Sequence, residues 1–134
     1  MRWTRAIPNL LLLASGAAAA EWTAVGPGND IYSAYADKDC IRRNGGMVRM
    51  SGMYDFRKKD FTPTGQGLFS TVVLREYDCD ARRVRLLSSI DFSGHMGEGT
   101  AVSTSKRLGR WEPIVAGGVD EVYWDVACGA VAAP

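Results

Sequence analysis

The sequence predicts an α+β fold that is mostly β: short antiparallel strands joined by tight turns, then one C-terminal helix, with a disulfide as staple. Three observations predict it. Apolar and polar residues alternate along Met47–Phe56 and again along Arg82–Phe92, the period of a strand with one face buried. Near the end the period changes, and Val119, Val122, Tyr123 and Val126 fall on one helical stripe. Three cysteines, Cys40, Cys79 and Cys128, follow a leader that reads as an export signal, so they are expected to meet an oxidising compartment.

The leader is residues 1–20. Arg2 and Arg5 make its start positive, Leu10–Ala20 is apolar or small, and Ala18 and Ala20 stand at the −3 and −1 positions of a cut before Glu21. An apolar core of about a dozen residues is too short to span a bilayer, which takes roughly 20. No cysteine precedes Cys40, so neither a lipid anchor nor a membrane span is expected. The protein should be exported, periplasmic or secreted, as one domain over residues 21–134. The chain carries 16 basic and 15 acidic residues, and loss of Arg2 and Arg5 leaves 14 basic. So nearly neutral a domain has no overall field to draw nucleic acid or an anionic membrane.

Turn residues divide the domain. A short run, Glu21–Val25, meets the turn Gly26-Pro27-Gly28-Asn29-Asp30, and Ile31–Ala36 follows as a strand. Asn44-Gly45-Gly46 is a hairpin signal leading into Met47–Phe56, where Val48, Met50, Tyr54 and Phe56 share one face with Gly52. Arg57–Gln66, with three consecutive bases, a proline and Gly65, reads as a loop. Leu68–Asp78, rich in Val, Thr, Phe and Tyr, is the next strand, and a turn at Asp80-Ala81 leads to Arg82–Phe92. Ser93–Thr100 contains three glycines and reads as a loop, and Ala101–Ser105 as one more strand. The helix, about ten residues ending at Cys128, opens with Asp120 and Glu121, where carboxylates favour the dipole. So short a helix is marginal alone and has to dock. A bridge from Cys79 to Cys128 would pin it to the sheet; by spacing alone, pairings that use Cys40 stay open.

No catalytic, cofactor or metal constellation stands out. His95, the single histidine, lies in the glycine-rich loop near Asp91 and Glu98 in no catalytic order, and reads as a solvent-facing side chain. Gly94, Gly97 and Gly99 do not form a phosphate-cradling motif, and Asp37, Asp39 and Asn44 lack calcium-loop spacing. Ser88-Ser89 and Ser103-Thr104-Ser105 read as solvent faces of strands. The run Arg57-Lys58-Lys59 behind Tyr54 and Phe56 is the candidate partner-binding patch, suited to acidic or sulfated partners. Trp22, Trp111 and Trp124 read as core or sheet-to-helix packing, with an exposed recognition surface as the alternative for Trp111 just before Pro113. Cys40 reads as a spare thiol, a small hydrophobe buried before Ile41, the alternative being an exposed thiol able to bridge two chains.

Several pieces occur together in order: Trp22; Tyr35-Ala36-Asp37; Ile41 to Arg49 across the hairpin; Glu76-Tyr77-Asp78-Cys79 and Arg82–Leu86; Trp111-Glu112-Pro113-Ile114; Val126-Ala127-Cys128. In this the chain resembles the surface-adhesin protein E family. The resemblance implies a six-stranded antiparallel sheet with the helix held by a Cys79–Cys128 bridge, a homodimer, and a non-enzymatic adhesin that binds host extracellular-matrix proteins such as vitronectin and laminin. Two departures stand against it: the lipidated cysteine of the adhesins is missing, and Cys40 sits where a small hydroxyl residue is usual. The missing anchor favours an alternative, a soluble periplasmic structural or regulatory protein of the envelope-stress or inhibitor type.

Overall fold

A computed structural model describes residues 20–132, so the leader as far as Ala19 lies outside the described residues. Eight strands and a helix follow in order: β1 (Thr23–Ala24), β2 (Tyr32–Ala36), β3 (Arg42–Asn44), β4 (Met47–Phe61), β5 (Gly67–Asp78), β6 (Arg83–Phe92), β7 (Ala101–Ser105), β8 (Glu112–Pro113) and α1 (Val119–Ala132). They form one antiparallel sheet, with six strands in the order β1-β2-β4-β5-β6-β7, while β3 pairs with β4 and β8 with β6. The predicted fold class holds. The two additional strands are two or three residues long and flank the main path.

The local chemistry explains the turns. Asn44 pairs with Met47 across Gly45-Gly46, and Gly45 takes the positive φ of 65° that a two-residue hairpin loop requires. Pro113 sits on the outer strand β8, where its missing N–H interrupts no ladder.

The core lies between one face of the sheet and α1. Ala34, Ala36, Val48, Met50, Tyr77 and Val84 come from the sheet, and Tyr123, Ala127 and Cys128 from the helix. Small residues open the space that Tyr123 fills. A Cβ on Gly52 would stand 2.8 Å from a Tyr123 ring carbon, so only glycine admits the ring there. The buried Tyr123 hydroxyl donates to the carbonyl of Tyr35 at 2.9 Å, with that of Met53 at 3.3 Å. Burial raises its pKa far above the usual phenol range, so it stays a donor at physiological pH. Cys79 and Cys128 form the disulfide, with Cα atoms 5.6 Å apart.

The opposite face is covered in part by the loop between β6 and β7. Ser70, fully buried, donates to the Gly94 carbonyl at 2.6 Å and accepts from Gly97 N–H at 2.8 Å. Asp55 accepts from Met96 N–H at 2.8 Å.

Four expectations need correction. Arg57–Gln66 is not all loop: Arg57–Phe61 continues β4, leaving Thr62–Gln66 as the turn. The helix is 14 residues and runs past Cys128 to Ala132, so the bridge holds its interior and not its end. Cys40 is exposed and free, because the short 3-10 turn Lys38–Cys40 carries it off the sheet before β3 begins. Trp111 is outside the core, its ring 4.6 and 4.5 Å from the guanidinium groups of Arg83 and Arg85. Trp124 does pack against the core from α1.

Candidate functional site

β4 outruns the strand beside it. β2 reaches its last partner at Tyr32↔Phe56, and the Arg57 N–H then bonds the Ile31 carbonyl at 3.0 Å. Beyond that point β4 pairs with β5 alone, through Asp60↔Leu68 and Phe61↔Gly67, after an irregularity between Asp55 and Asp60. The β4–β5 hairpin therefore projects from the sheet, and Arg57–Phe61 are all exposed. Backbone pairing holds these residues in place while their side chains face solvent.

The three bases of the patch are held differently. Arg57 donates from Nε to the Asn29 carbonyl at 2.8 Å. Lys59 lays its stem along Gly67 and brings its ammonium 6.0 Å from the Phe69 ring centre, a cation–π distance. Lys58 makes no ion pair among the described residues and lines a shallow groove with Ile31, Phe56 and Asp60. Ile31 and Phe61 stand 65% and 61% exposed, among the most open large apolar side chains described. The end of the hairpin thus sets exposed cations beside uncovered apolar surface and the carboxylates of Asp30 and Asp60. That mix suits docking.

Ile31 and Phe61 were not singled out from sequence. Their signal is weak: with no core on either side, the stretch loses its alternation, and a charged run with Pro63 nearby reads as a loop.

His95 is exposed, with Nδ1 3.1 Å from an Asp55 carboxylate oxygen and its ring 4.4 Å from that of Phe69. The neighbouring Ser70 hydroxyl is committed to the loop backbone, so the pair orients the loop and activates no nucleophile. Among the described residues no three His, Cys, Asp or Glu side chains gather as metal ligands would, and no helix is long and apolar enough to cross a membrane. Cys40 lies beside Asp37, whose hydrogen bond and negative charge raise the thiol above its ordinary pKa.

The sequence profile of the family described as surface-adhesin protein E matches residues 22–129. No curated protein matches the chain. The fold is similar to solved structures of Haemophilus influenzae protein E. One superposes with a TM-score of 0.66 at 10% identity, covering 85% of this chain and 88% of the other. A second crystal form gives 0.68 at 9% identity, covering 85% and 91%. Protein E from non-typeable Haemophilus influenzae gives 0.61 at 11% identity, covering 81% and 78%. At such identity the likeness speaks for the shared fold alone.

Proposed function

Since this chain belongs to the surface-adhesin protein E family, we propose that it is an exported, non-enzymatic binding module whose projecting β4–β5 hairpin engages a protein partner. The observation that carries this reading is the joint exposure of Lys58 and Lys59 with Ile31 and Phe61 on a backbone already ordered by the sheet. Apolar anchors supply the desolvation that holds a complex, and the cations steer an acidic partner towards them. Ordering in advance lowers the entropy cost of docking. Extracellular-matrix proteins such as vitronectin and laminin are the partner class to test.

Immobilised vitronectin and laminin, probed with the mature domain, test the hairpin. Phe61→Ser should weaken binding by roughly tenfold or more, the loss of one anchor. Lys58→Gln with Lys59→Gln should mainly slow association, and more so at low salt. Binding of wild type that neither change alters would remove the hairpin from the proposal.

The same reading includes removal of the leader before Glu21. The intact mass of the exported protein should begin at Glu21. Alkylation in denaturant without reductant should label one cysteine, Cys40, while the native protein reacts slowly at neutral pH because of Asp37. A retained Met1 would defeat the export reading, and absence of any label would mean that Cys40 is bonded.

A further inference from the structure

At the end of the sheet where β3 turns into β4, far along β4 from the projecting hairpin, a row of charges crosses four strands. The register sets Arg42 opposite Arg49, Arg49 opposite Glu76, and Glu76 opposite Arg85. Their chain neighbours Val48, Tyr77 and Val84 point into the core, so alternation puts the row on the face away from α1.

The charges in this row do not balance. Glu76 Oε1 accepts from Arg85 Nε at 2.9 Å and Nη2 at 2.7 Å. Its other oxygen meets Arg49 Nε only at 3.4 Å, and the Arg49 side chain is 55% exposed. Arg42 makes no ion pair among the described residues; its guanidinium reaches only the Ile41 carbonyl, at 3.4 Å. Two arginines therefore stand directly opposite each other with no carboxylate between them. Like charges in that relation destabilise a sheet, so folding gives no reason for the pair.

A groove of about 260 Å³ opens beside them, lined by Arg42, Arg43, Asn44, Met47, Arg49 and Glu76. We propose that this groove binds a compact, doubly charged tetrahedral oxyanion, the chemistry of a phosphate group, clamped between Arg42 and Arg49. Planar guanidinium forks grip such oxygens in pairs, and two of them match a dianion. Glu76 sets the size: a long polyanion laid across the row would meet its carboxylate, whereas a single group at the Arg42 side avoids it. Arg85, held by Glu76 and stacked on Trp111, keeps that carboxylate in place.

Inorganic phosphate, titrated into the mature protein against sodium chloride of equal ionic strength, tests the site. The melting temperature should rise with phosphate and saturate. Arg42→Thr should abolish the rise or shift it to at least about tenfold higher phosphate. In chloride alone Arg42→Thr should melt at or above wild type, because it relieves a repulsion. Arg107→Gln, an equal change of net charge at an exposed position after β7, should keep the phosphate response. A rise that does not saturate, equal losses in the two variants, or a lower melting temperature for Arg42→Thr in chloride would each overturn the proposal. Two further probes identify the source. Capture by phosphatidylcholine vesicles containing phosphatidic acid, and not by plain ones, assigns the group to a lipid. A response to glucose 6-phosphate matching that to phosphate assigns it to a small soluble ester.

Discussion

Tyr123→Ala should destabilise the domain by about 3–5 kcal/mol, the range for emptying a large aromatic site in a core. The ring is fully buried between α1 and the sheet, and Gly52 exists to admit it. Chemical denaturation with an unchanged m-value would give the number. Tyr123→Phe separates the hydroxyl from the ring. It should cost about 1–3 kcal/mol, because the carbonyls of Tyr35 and Met53 lose a buried donor. Gly52→Val attacks the same contact from the other side, and its side chain would have to displace the ring or the helix. A Gly52→Val protein as stable as wild type would show that α1 is not seated as described.

The second large effect belongs to the staple. Cys128→Ser should cost about 2–5 kcal/mol, as expected for a native bridge lost from a small exported domain. The bridge closes a separation of 49 residues, for which the chain-entropy view gives roughly 4 kcal/mol. Loss should show first in α1, since the sheet keeps its own hydrogen-bond ladder. Hydrogen exchange should therefore quicken along Val119–Ala132 well before it does in β4 and β5. Protection of α1 equal to that of wild type would mean that packing by Tyr123 and Ala127 holds the helix without the bridge. Because Tyr123 lies five residues from Cys128 on the same helix, the two changes should not add.

Much of the fold was legible because its two periods are clean. Val48 and Met50 alternate on β4 toward the face that α1 covers, as expected, while on β6 the bulge opposite Leu74 and Arg75 carries Ile90 to the other face from Val84, an interruption that the alternation along Arg82–Phe92 does not show. The helical stripe through Tyr123 was equally plain. The errors have one source. Arg57–Phe61 and Glu112–Pro113 are exposed or pair at an edge, so burial imposes no pattern on them. Cys40 was misplaced for a related reason: a small hydrophobic residue before a strand reads as buried, but a single 3-10 turn is enough to swing it outside.

The candidate hairpin was half legible. Arg57, Lys58 and Lys59 announce themselves as a run and Phe61 follows them on the same strand, whereas Ile31 joins them only through the backbone bond from Arg57 that brings two distant segments together. The arginine row is more hidden still. Arg42, Arg49, Glu76 and Arg85 are ordinary charged residues on four adjacent strands, and none of them is a motif.

By itself the sequence determined the class of the domain, its strand and helix periods, the export leader as an expectation, and the cysteine inventory. These follow from local chemistry: which side chains can face a core, which backbone can turn, and which residues can oxidise. Tertiary structure alone decided that Cys79 meets Cys128, that Tyr123 sits over Gly52, that β4 outruns β2, and that Arg42 faces Arg49. Each of those depends on register and on the approach of distant segments. Register is set by the sum of many contacts across the sheet, and no single stretch of chain contains that sum.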